Sequence, residues 1–533
     1  MKKKTLILIF FVFVSFNLYS QGWMKIYPDS MDTEIHTVRE HYDKGYVFSG
    51  ERYEGWSYYG FLMKTDVNGE VLWKKSYGLP LKMNQFFSSR VTLDGGLILT
   101  GSTNNLSTTC TDPLLIKLNG CGEKEWCKIY NAQGCNSWTK DVDLVDDSGY
   151  LMLLDRWKSG QEEMIWLFRL DNLGEVIWAQ VYATDPGWNS ELSHSILKTT
   201  DNCFVITGET YYPDPTYPNK KIIKIILIKV NIDGENIFEV PWGTDNGVYS
   251  DGRLSTIDSK NNIYTAGRRA RTMEPYGDSP CLFKTSVSGE PVFYRDLKPF
   301  SSLGISSTIN WFKDSTLALC SQWRDSLSTD TTGVFKTDSL GTLLNQITFS
   351  DNYGIYGSSI TYNNRLILGG TGYASGNFFG VAIKLTSDLE YDSVYTTPFT
   401  YDSLCPHPIV SDTIPLDDCE VVVVGIDDPG QHPEKTKLHV YPNPASQVIT
   451  VEMPQYLIKT SGGSGITATT YYHQWKSVRL DVFDLFGKLM YSQDIPGKTE
   501  KTELDISSWP VGMYIARIVF MNEVTGTVKF VKE

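Results

Sequence analysis

The sequence predicts an all-β chain, a seven-bladed β-propeller followed by a small Ig-like β-sandwich, and three observations carry the prediction. A short apolar strand ending in glycine or a small residue recurs seven times. Its copies are Gly45-Tyr-Val-Phe-Ser-Gly, Gly96-Leu-Ile-Leu-Thr-Gly, Gly149-Tyr-Leu-Met-Leu-Leu, Cys203-Phe-Val-Ile-Thr-Gly, Asn262-Ile-Tyr-Thr-Ala-Gly, Ser315-Thr-Leu-Ala-Leu-Cys and Arg365-Leu-Ile-Leu-Gly-Gly. Each is followed by two further strands around a tight turn, as in Phe61-Leu-Met-Lys-Thr-Asp-Val-Asn-Gly-Glu-Val-Leu-Trp, and preceded by a polar stretch of strand character such as 190–197. Alternating apolar and polar positions between Asp/Asn-Gly turns specify hairpins rather than helices. A period of roughly fifty residues with four strands is the signature of a propeller blade.

At the N-terminus Lys2, Lys3 and Lys4 precede an apolar run from Leu6 to Phe16, then Leu18-Tyr19-Ser20 and Gln21. That order of charge, apolar run and small residues is a secretory signal peptide over 1–20, cut between Ser20 and Gln21. The run is too short to span a bilayer, which needs roughly 20 residues, so no transmembrane segment is expected in the mature chain.

The propeller is placed at residues 21–397. Trp23-Met-Lys-Ile-Tyr27 copies the last strand of each unit, as in Trp73-Lys-Lys-Ser-Tyr77 and Trp126-Cys-Lys-Ile-Tyr130, but lacks the strands that should precede it. Such an orphan can fill the edge of the last blade and close the ring. Counting residues 390–395 there are eight copies of this element for seven blades, so one terminal copy is spare. The pattern resembles the secreted bacterial propellers with Asp-Gly-Gly and Trp-x-Lys-x-Tyr strand motifs. That resemblance implies a fold and no particular activity, because propellers host binding and catalysis alike.

Turns after the second element are tight (Asp66-Val-Asn-Gly, Asp171-Asn-Leu-Gly), whereas loops after the glycine element are long: 51–60, 102–113, 209–224, 268–280 and 322–332. The long loops leave on the same face as the blade connections, and function favours that elaborated face. It is expected to present Arg52, Tyr53, Arg156, Trp157, Tyr211, Tyr212, Arg268, Arg271, Trp323, Arg324 and Tyr373, joined by Trp138, Trp188, Trp242 and Tyr353. Aromatic planes suit sugar rings or peptide side chains, and arginine forks suit carboxylates. The expected function is an extracellular binding face for a glycan or protein. The alternatives are a polysaccharide-degrading enzyme on the same scaffold and a structural adhesin.

No catalytic constellation is legible. The propeller holds only His36, His41 and His194, too few for a histidine metal cluster, and no cofactor motif is present. Asp155 and Glu209 fall beside the expected pore, but among 62 acidic residues a pairing cannot be picked out. Residues 66–70 carry half the pattern of a calcium loop, which a plain hairpin turn also explains. The net charge of −14 disfavours nucleic acid and anionic lipid as partners.

Nine cysteines suit an oxidising compartment. Two bridges are expected within Cys110, Cys121, Cys127 and Cys135, and a third between Cys405 and Cys419 across the proline-rich linker at 398–436. The linker is read as one strand around 421–424 followed by a hinge at 427–433.

The last domain, 437–533, runs Leu438-His-Val-Tyr-Pro-Asn-Pro-Ala, Val478-Arg-Leu-Asp-Val-Phe-Asp-Leu-Phe-Gly-Lys-Leu, Leu504-Asp-Ile-Ser, Val511-Gly-Met-Tyr-Ile and Lys529-Phe-Val-Lys. It shows about seven strands, with a Gly462–Gly465 insert. This series resembles the type A C-terminal sorting domain of the type IX secretion system of Bacteroidetes-like bacteria. The resemblance rests on Tyr441, Pro442, Asn443, Pro444, Asp484, Gly487, Lys488, Gly512, Tyr514 and Lys529. It implies recognition by the outer-membrane translocon, removal by a sortase-like peptidase, and a secreted or surface-displayed protein.

Overall fold

A computed structural model describes residues 23–106, 110–131, 136–157, 163–182, 190–213, 221–242, 250–270, 278–298, 303–324, 330–349, 351, 353–424, 438–452, 478–484, 488–495, 499, 501–520 and 523–533. The leader with Ser20 and Gln21, the hinge at 427–433 and the Gly462–Gly465 insert lie outside them. The chain forms two compact units, Met1–Gly425 and Ile426–Glu533.

Among the described residues the first unit is propeller-like, with seven sheets of four or five strands. In chain order the first strands are Asp32–Glu40, Asn84–Val91, Asn136–Leu144, Ser190–Lys198, Ser250–Ile257, Leu303–Trp311 and Gly354–Ile360. Each opens an antiparallel meander whose second strand is the glycine element. Every first strand packs on the sheet before it, and Asp32–Glu40 packs on the seventh sheet, so the succession returns on itself. Second and third strands lie between neighbouring sheets, and Leu97–Thr103 and Asp112–Leu118 are buried throughout. Fourth strands such as Pro291–Asp296 and Leu343–Thr348 form the exposed rim.

A cation on the third strand ties down the turn between the first two strands. Lys64 meets Asp43 at 2.8 Å, Lys117 meets Asp94 at 2.8 Å, Lys229 meets Asp201 at 2.7 Å and Lys336 meets Asp314 at 3.2 Å. Arg169 donates to the Ser148 carbonyl at 2.7 Å in the third sheet. The half calcium pattern at residues 66–70 is a turn: Asp66 Oδ1 accepts from the amides of Asn68 and Glu70, each at 2.8 Å.

Of the two terminal copies of the fourth-strand element, the N-terminal one completes a sheet. Met24–Tyr27 pairs antiparallel with the third strand of the seventh sheet, Asn377–Leu385, as its fourth strand. The C-terminal copy makes one isolated bridge, Leu385 to Tyr391, and is the spare.

The disulfides differ from the pairing expected of the sequence. Among the described residues the bridges are Cys121–Cys405 and Cys127–Cys419, which span 284 and 292 residues. Cys405 and Cys419 are not bonded to each other, and Cys121 and Cys127 find no partner inside their own cluster; Cys135 lies outside the described residues. The physical reason is the path of the connector, which runs back along the first two sheets as two short parallel edge strands. Thr413–Ile414 adds to Val71–Tyr77, and Glu420–Val423 adds to Lys124–Asn131.

The second unit holds a three-stranded and a four-stranded sheet around a shared core that includes Leu438, Ile449, Leu480, Tyr514 and Phe530. Asn443, between cis-bonded Pro442 and Pro444, ties the first strand's end to the last strand. It accepts from the Val531 amide at 2.9 Å and donates to the Lys529 carbonyl at 3.3 Å. Tyr514 is buried and donates to the Pro510 carbonyl at 2.7 Å; Asp484 Oδ1 accepts the Lys488 amide at 2.9 Å. Gly512 opens the strand Gly512–Phe520, the Tyr441 side chain is exposed, and Gly487 lies outside the described residues. No described helix is long and apolar enough to cross a membrane.

Candidate functional site

In every first strand the ladder to the second strand skips one residue. The skipped residues are His36, Phe87, Lys140, His194, Arg253, Ser307 and Tyr356, one per sheet. Such bulges re-aim a side chain. Each skipped residue stays partly or fully exposed, while its chain neighbours are buried except Leu254. Some of these residues meet between adjacent sheets. His36 stacks on Phe87 with centroids 5.7 Å apart, and Tyr356 meets His36 edge-on at 6.2 Å. One arc is therefore aromatic. The opposite arc, Lys140, His194 and Arg253, is cationic or protonatable, with Arg253 Nη1 at 3.4 Å from His194 Nδ1.

The residue after the glycine position of the second strand stands beside this ring, and here Glu51, Asp155, Glu209 and Arg268 occur. His194 Nε2 lies 3.8 Å from Asp251 Oδ1 and 3.9 Å from Glu209 Oε1. Asp251 is fully buried, and its Oδ2 accepts from Arg253 at 2.6 Å and Arg268 at 3.2 Å. Tyr211 donates to Glu209 Oε1 at 2.9 Å. Asp155 accepts from the Ser193 amide and hydroxyl at 2.9 and 2.6 Å, and Lys140 lies 3.3 Å from its other oxygen.

Burial decides the protonation of these groups. It pushes the Asp251 carboxyl up to about 7 against the pull of Arg253, with Glu209 adding to the rise. It pushes Asp155 up to about 6 against Lys140, and Glu51 up to about 7 against the hydrogen bond from Gln85. Burial, reinforced by Arg253, Lys140 and Arg268, holds His194 well below its ordinary range; burial takes His36 to about 4. Both histidines are neutral at pH 7. His194, Glu209 and Asp251 each bring one ligand-type atom within 4.8 Å of the others, as do Glu34, His36 and Glu51, so among the described residues of these strands there are two groups that could hold a cation.

Arg268 also lines a cavity of about 420 Å³ between the fifth and sixth sheets, with Asp278, Gln322, Trp323, Arg324 and Asp330. Arg324 forks onto Asp330 at 2.6 and 2.9 Å, and Arg268 reaches Asp278 at 3.4 Å. Trp323 is largely buried against Phe335 and the Lys298 ammonium. Three residues expected at a ligand face thus converge.

The others are distributed. Arg52 is engaged by Asp29 at 2.6 Å and Ser76 at 3.2 Å, over the Phe61 ring. Tyr53 stacks on Tyr58 and, with Phe378 and the exposed Tyr373, makes an aromatic patch bridging the first and seventh sheets. Arg156 lies over Trp166. Trp242 packs against Phe283, and Tyr353 is buried with its hydroxyl on Asp351. Arg271, Trp188 and the Trp157 side chain lie outside the described residues. The long loops at 209–224, 268–280 and 322–332 also lie partly outside, whereas 51–60 is a two-residue turn between strands ending at Glu54 and starting at Ser57.

Lys140, Asp251 and Arg253 escaped sequence reasoning as site residues. The signal exists: each skipped residue stands fourteen positions before the glycine position, as His36 before Gly50, His194 before Gly208, Arg253 before Gly267 and Tyr356 before Gly370.

A family model, the secretion system C-terminal sorting domain, matches residues 439–533. No curated protein matches the sequence. Among solved structures, an ulvan lyase from polysaccharide lyase family PL25 is similar at 7% identity and a TM-score of 0.49, covering 69% of this chain and 96% of that one. The polysaccharide lyase Uly1 is similar at 8% identity and 0.45, covering 66% and 90%. An α-L-arabinanase of Penicillium chrysogenum complexed with arabinobiose is similar at 9% identity and 0.40, covering 68% and 96%. Residues 439–533 are a secretion system C-terminal sorting domain, and the protein carrying them is exported by the type IX secretion system to the cell surface or the extracellular space.

Proposed function

We propose that the first unit is a seven-bladed β-propeller that binds an extracellular glycan on its elaborated face. On this reading residues 1–20 are removed at Ser20–Gln21, and the Ig-like sandwich at 437–533 is the address read by the translocon and a sortase-like peptidase. Tyr441, Pro442, Asn443, Pro444, Asp484, Gly487, Lys488, Gly512, Tyr514 and Lys529 then form the recognised surface or hold its shape. The observation that carries the binding role is the 420 Å³ cavity where Arg268, Gln322, Trp323 and Arg324 converge. Its volume lies in the range of small-ligand sites, roughly 300–1,000 Å³, and its lining combines an aromatic plane with planar polar groups. The Tyr53, Tyr58, Tyr373 and Phe378 patch supplies a second stacking surface on the same face.

The test is a glycan array probed with the secreted full chain. Retention of one oligosaccharide class, weakened by Arg324→Ala, supports the proposal; a blank array alongside capture of a surface protein would favour a protein ligand. Export is tested separately: a chain stopped after Glu434 should accumulate inside the cell. A polysaccharide-degrading enzyme is the second reading, favoured by buried acids near neutral pKa beside His194, a feature that clusters at catalytic sites. It requires product release from a bound glycan, lost in Asp251→Asn.

A further inference from the structure

We infer that His194, Glu209 and Asp251 form a subsite for two adjacent hydroxyl groups of one sugar ring, at the bulges of the first strands of the fourth and fifth sheets. The inference rests on the glycan-binding reading and assigns the place where a sugar unit is gripped.

The three side chains share one arrangement: one polar atom is held by a neighbour and the other has no hydrogen-bond partner. Asp251 Oδ2 is held by Arg253 and Arg268, while its Oδ1 is unpaired. Glu209 Oε1 is held by Tyr211, while its Oε2 is unpaired. His194 Nδ1 is held by Arg253, while its Nε2 is unpaired. Asp251 is 0% and Glu209 4% exposed, so leaving these oxygens unpaired is unfavourable. The three unpaired atoms are themselves covered, and His194, Lys140 and Arg253 beside them keep side-chain exposures of 14, 29 and 34%, so a sugar reaches the atoms by displacing these solvent-touching side chains.

The chemistry of the unpaired set selects the ligand. Arginine can only donate, so Nδ1 of His194 is the acceptor and Nε2 carries the proton. The set is therefore one donor and two carboxylate acceptors. A hydroxyl donates once and accepts as well, so one sugar hydroxyl can accept from Nε2 while donating to Asp251 Oδ1, and its neighbour can donate to Glu209 Oε2. Lys140 and Arg253 remain beside it for a ring carboxylate or further hydroxyls. A divalent cation fits these residues less well: it would meet a proton on Nε2 and two guanidinium groups on Asp251.

An array of neutral and uronic-acid oligosaccharides is probed with the full chain, and the strongest binder is titrated against wild type, Glu209→Gln, Asp251→Asn and His194→Ala. The first two variants keep side-chain shape, and thermal unfolding checks all three. Affinity should fall at least tenfold in each variant, with Lys198→Ala, at the last residue of the strand Ser190–Lys198, unchanged. A blank array for wild type would end the glycan reading and this subsite with it. Binding that survives all three substitutions would overturn the subsite alone and leave the glycan reading standing. Metal analysis after dialysis against Zn²⁺ or Ca²⁺ decides the rival: one ion per chain, lost in His194→Ala, would reassign the cluster as a cation site.

Discussion

The Tyr27 hydroxyl donates to the Gly69 carbonyl at 3.0 Å, and this one bond identifies the first strand of the protein as the last strand of its ring. The same bond joins Tyr77 to Gly122, Tyr130 to Gly174 and Tyr182 to Gly234 at 2.6–2.8 Å, always from a fourth strand to a turn in the following sheet. Tyr27 makes it from the seventh sheet to the first. Trp23 stands beside it, 1% exposed, with its indole N–H on the Val67 carbonyl at 3.2 Å. Trp23→Ala should destabilise the first unit by about 3–5 kcal/mol, and Tyr27→Phe by about 1 kcal/mol. Urea unfolding followed by tryptophan emission reads both; equal small effects would show that the ring does not depend on this strand.

Lys64 offers a second test. Its ammonium is fully buried, contacts both oxygens of Asp43 at 2.8 Å and lies beside His41. Asp43→Ala should cost about 3–5 kcal/mol, because an unpaired buried charge remains. Combining it with Lys64→Met should recover much of that loss. A double variant no better than the single one would locate the effect in the turn rather than the charge.

Asp251 sets a pH dependence whose sign is fixed by burial. Its carboxyl titrates near 7 in the folded chain and near 3.8 when unfolded, so the folded state disfavours its charge. The group's contribution to stability therefore falls as pH rises from about 4 to about 7. Asp251→Asn removes the penalty. The melting temperature of the variant should match wild type near pH 4 and exceed it by at least about 2 °C at pH 8, read by scanning calorimetry. A gap that shrinks with pH would contradict the assignment.

The disulfides should matter most for the connector. Removing Cys121–Cys405 or Cys127–Cys419 by paired serine substitution should cost about 2–5 kcal/mol. It should also expose residues 398–424 to proteolysis while the blades stay resistant. Mass spectrometry of limited digests distinguishes this from global unfolding.

The strands were legible in the sequence because the glycine element is local: seven apolar runs at even spacing need no long-range knowledge. Arg268, Trp323 and Arg324 were legible for the same reason, since each closely follows a glycine element. The disulfides were not, because Cys121 and Cys127 lie six residues apart while their partners lie 284 and 292 residues away. His194 was visible as a residue and opaque as a site. Its partners Glu209, Asp251 and Arg253 come from other strands, and only the register skip turns it toward them.

The chain leaves the first unit through Val423 and Val424, directly after a parallel ladder and a disulfide. If the protein is held at the envelope through its C-terminal unit, any tug on that tether is met by the Glu420–Val423 strand in shear and by the covalent bond from Cys419 to Cys127. The load then passes into the second sheet and bypasses the Tyr27 latch, so the first unit can bear traction without the circle being pried apart.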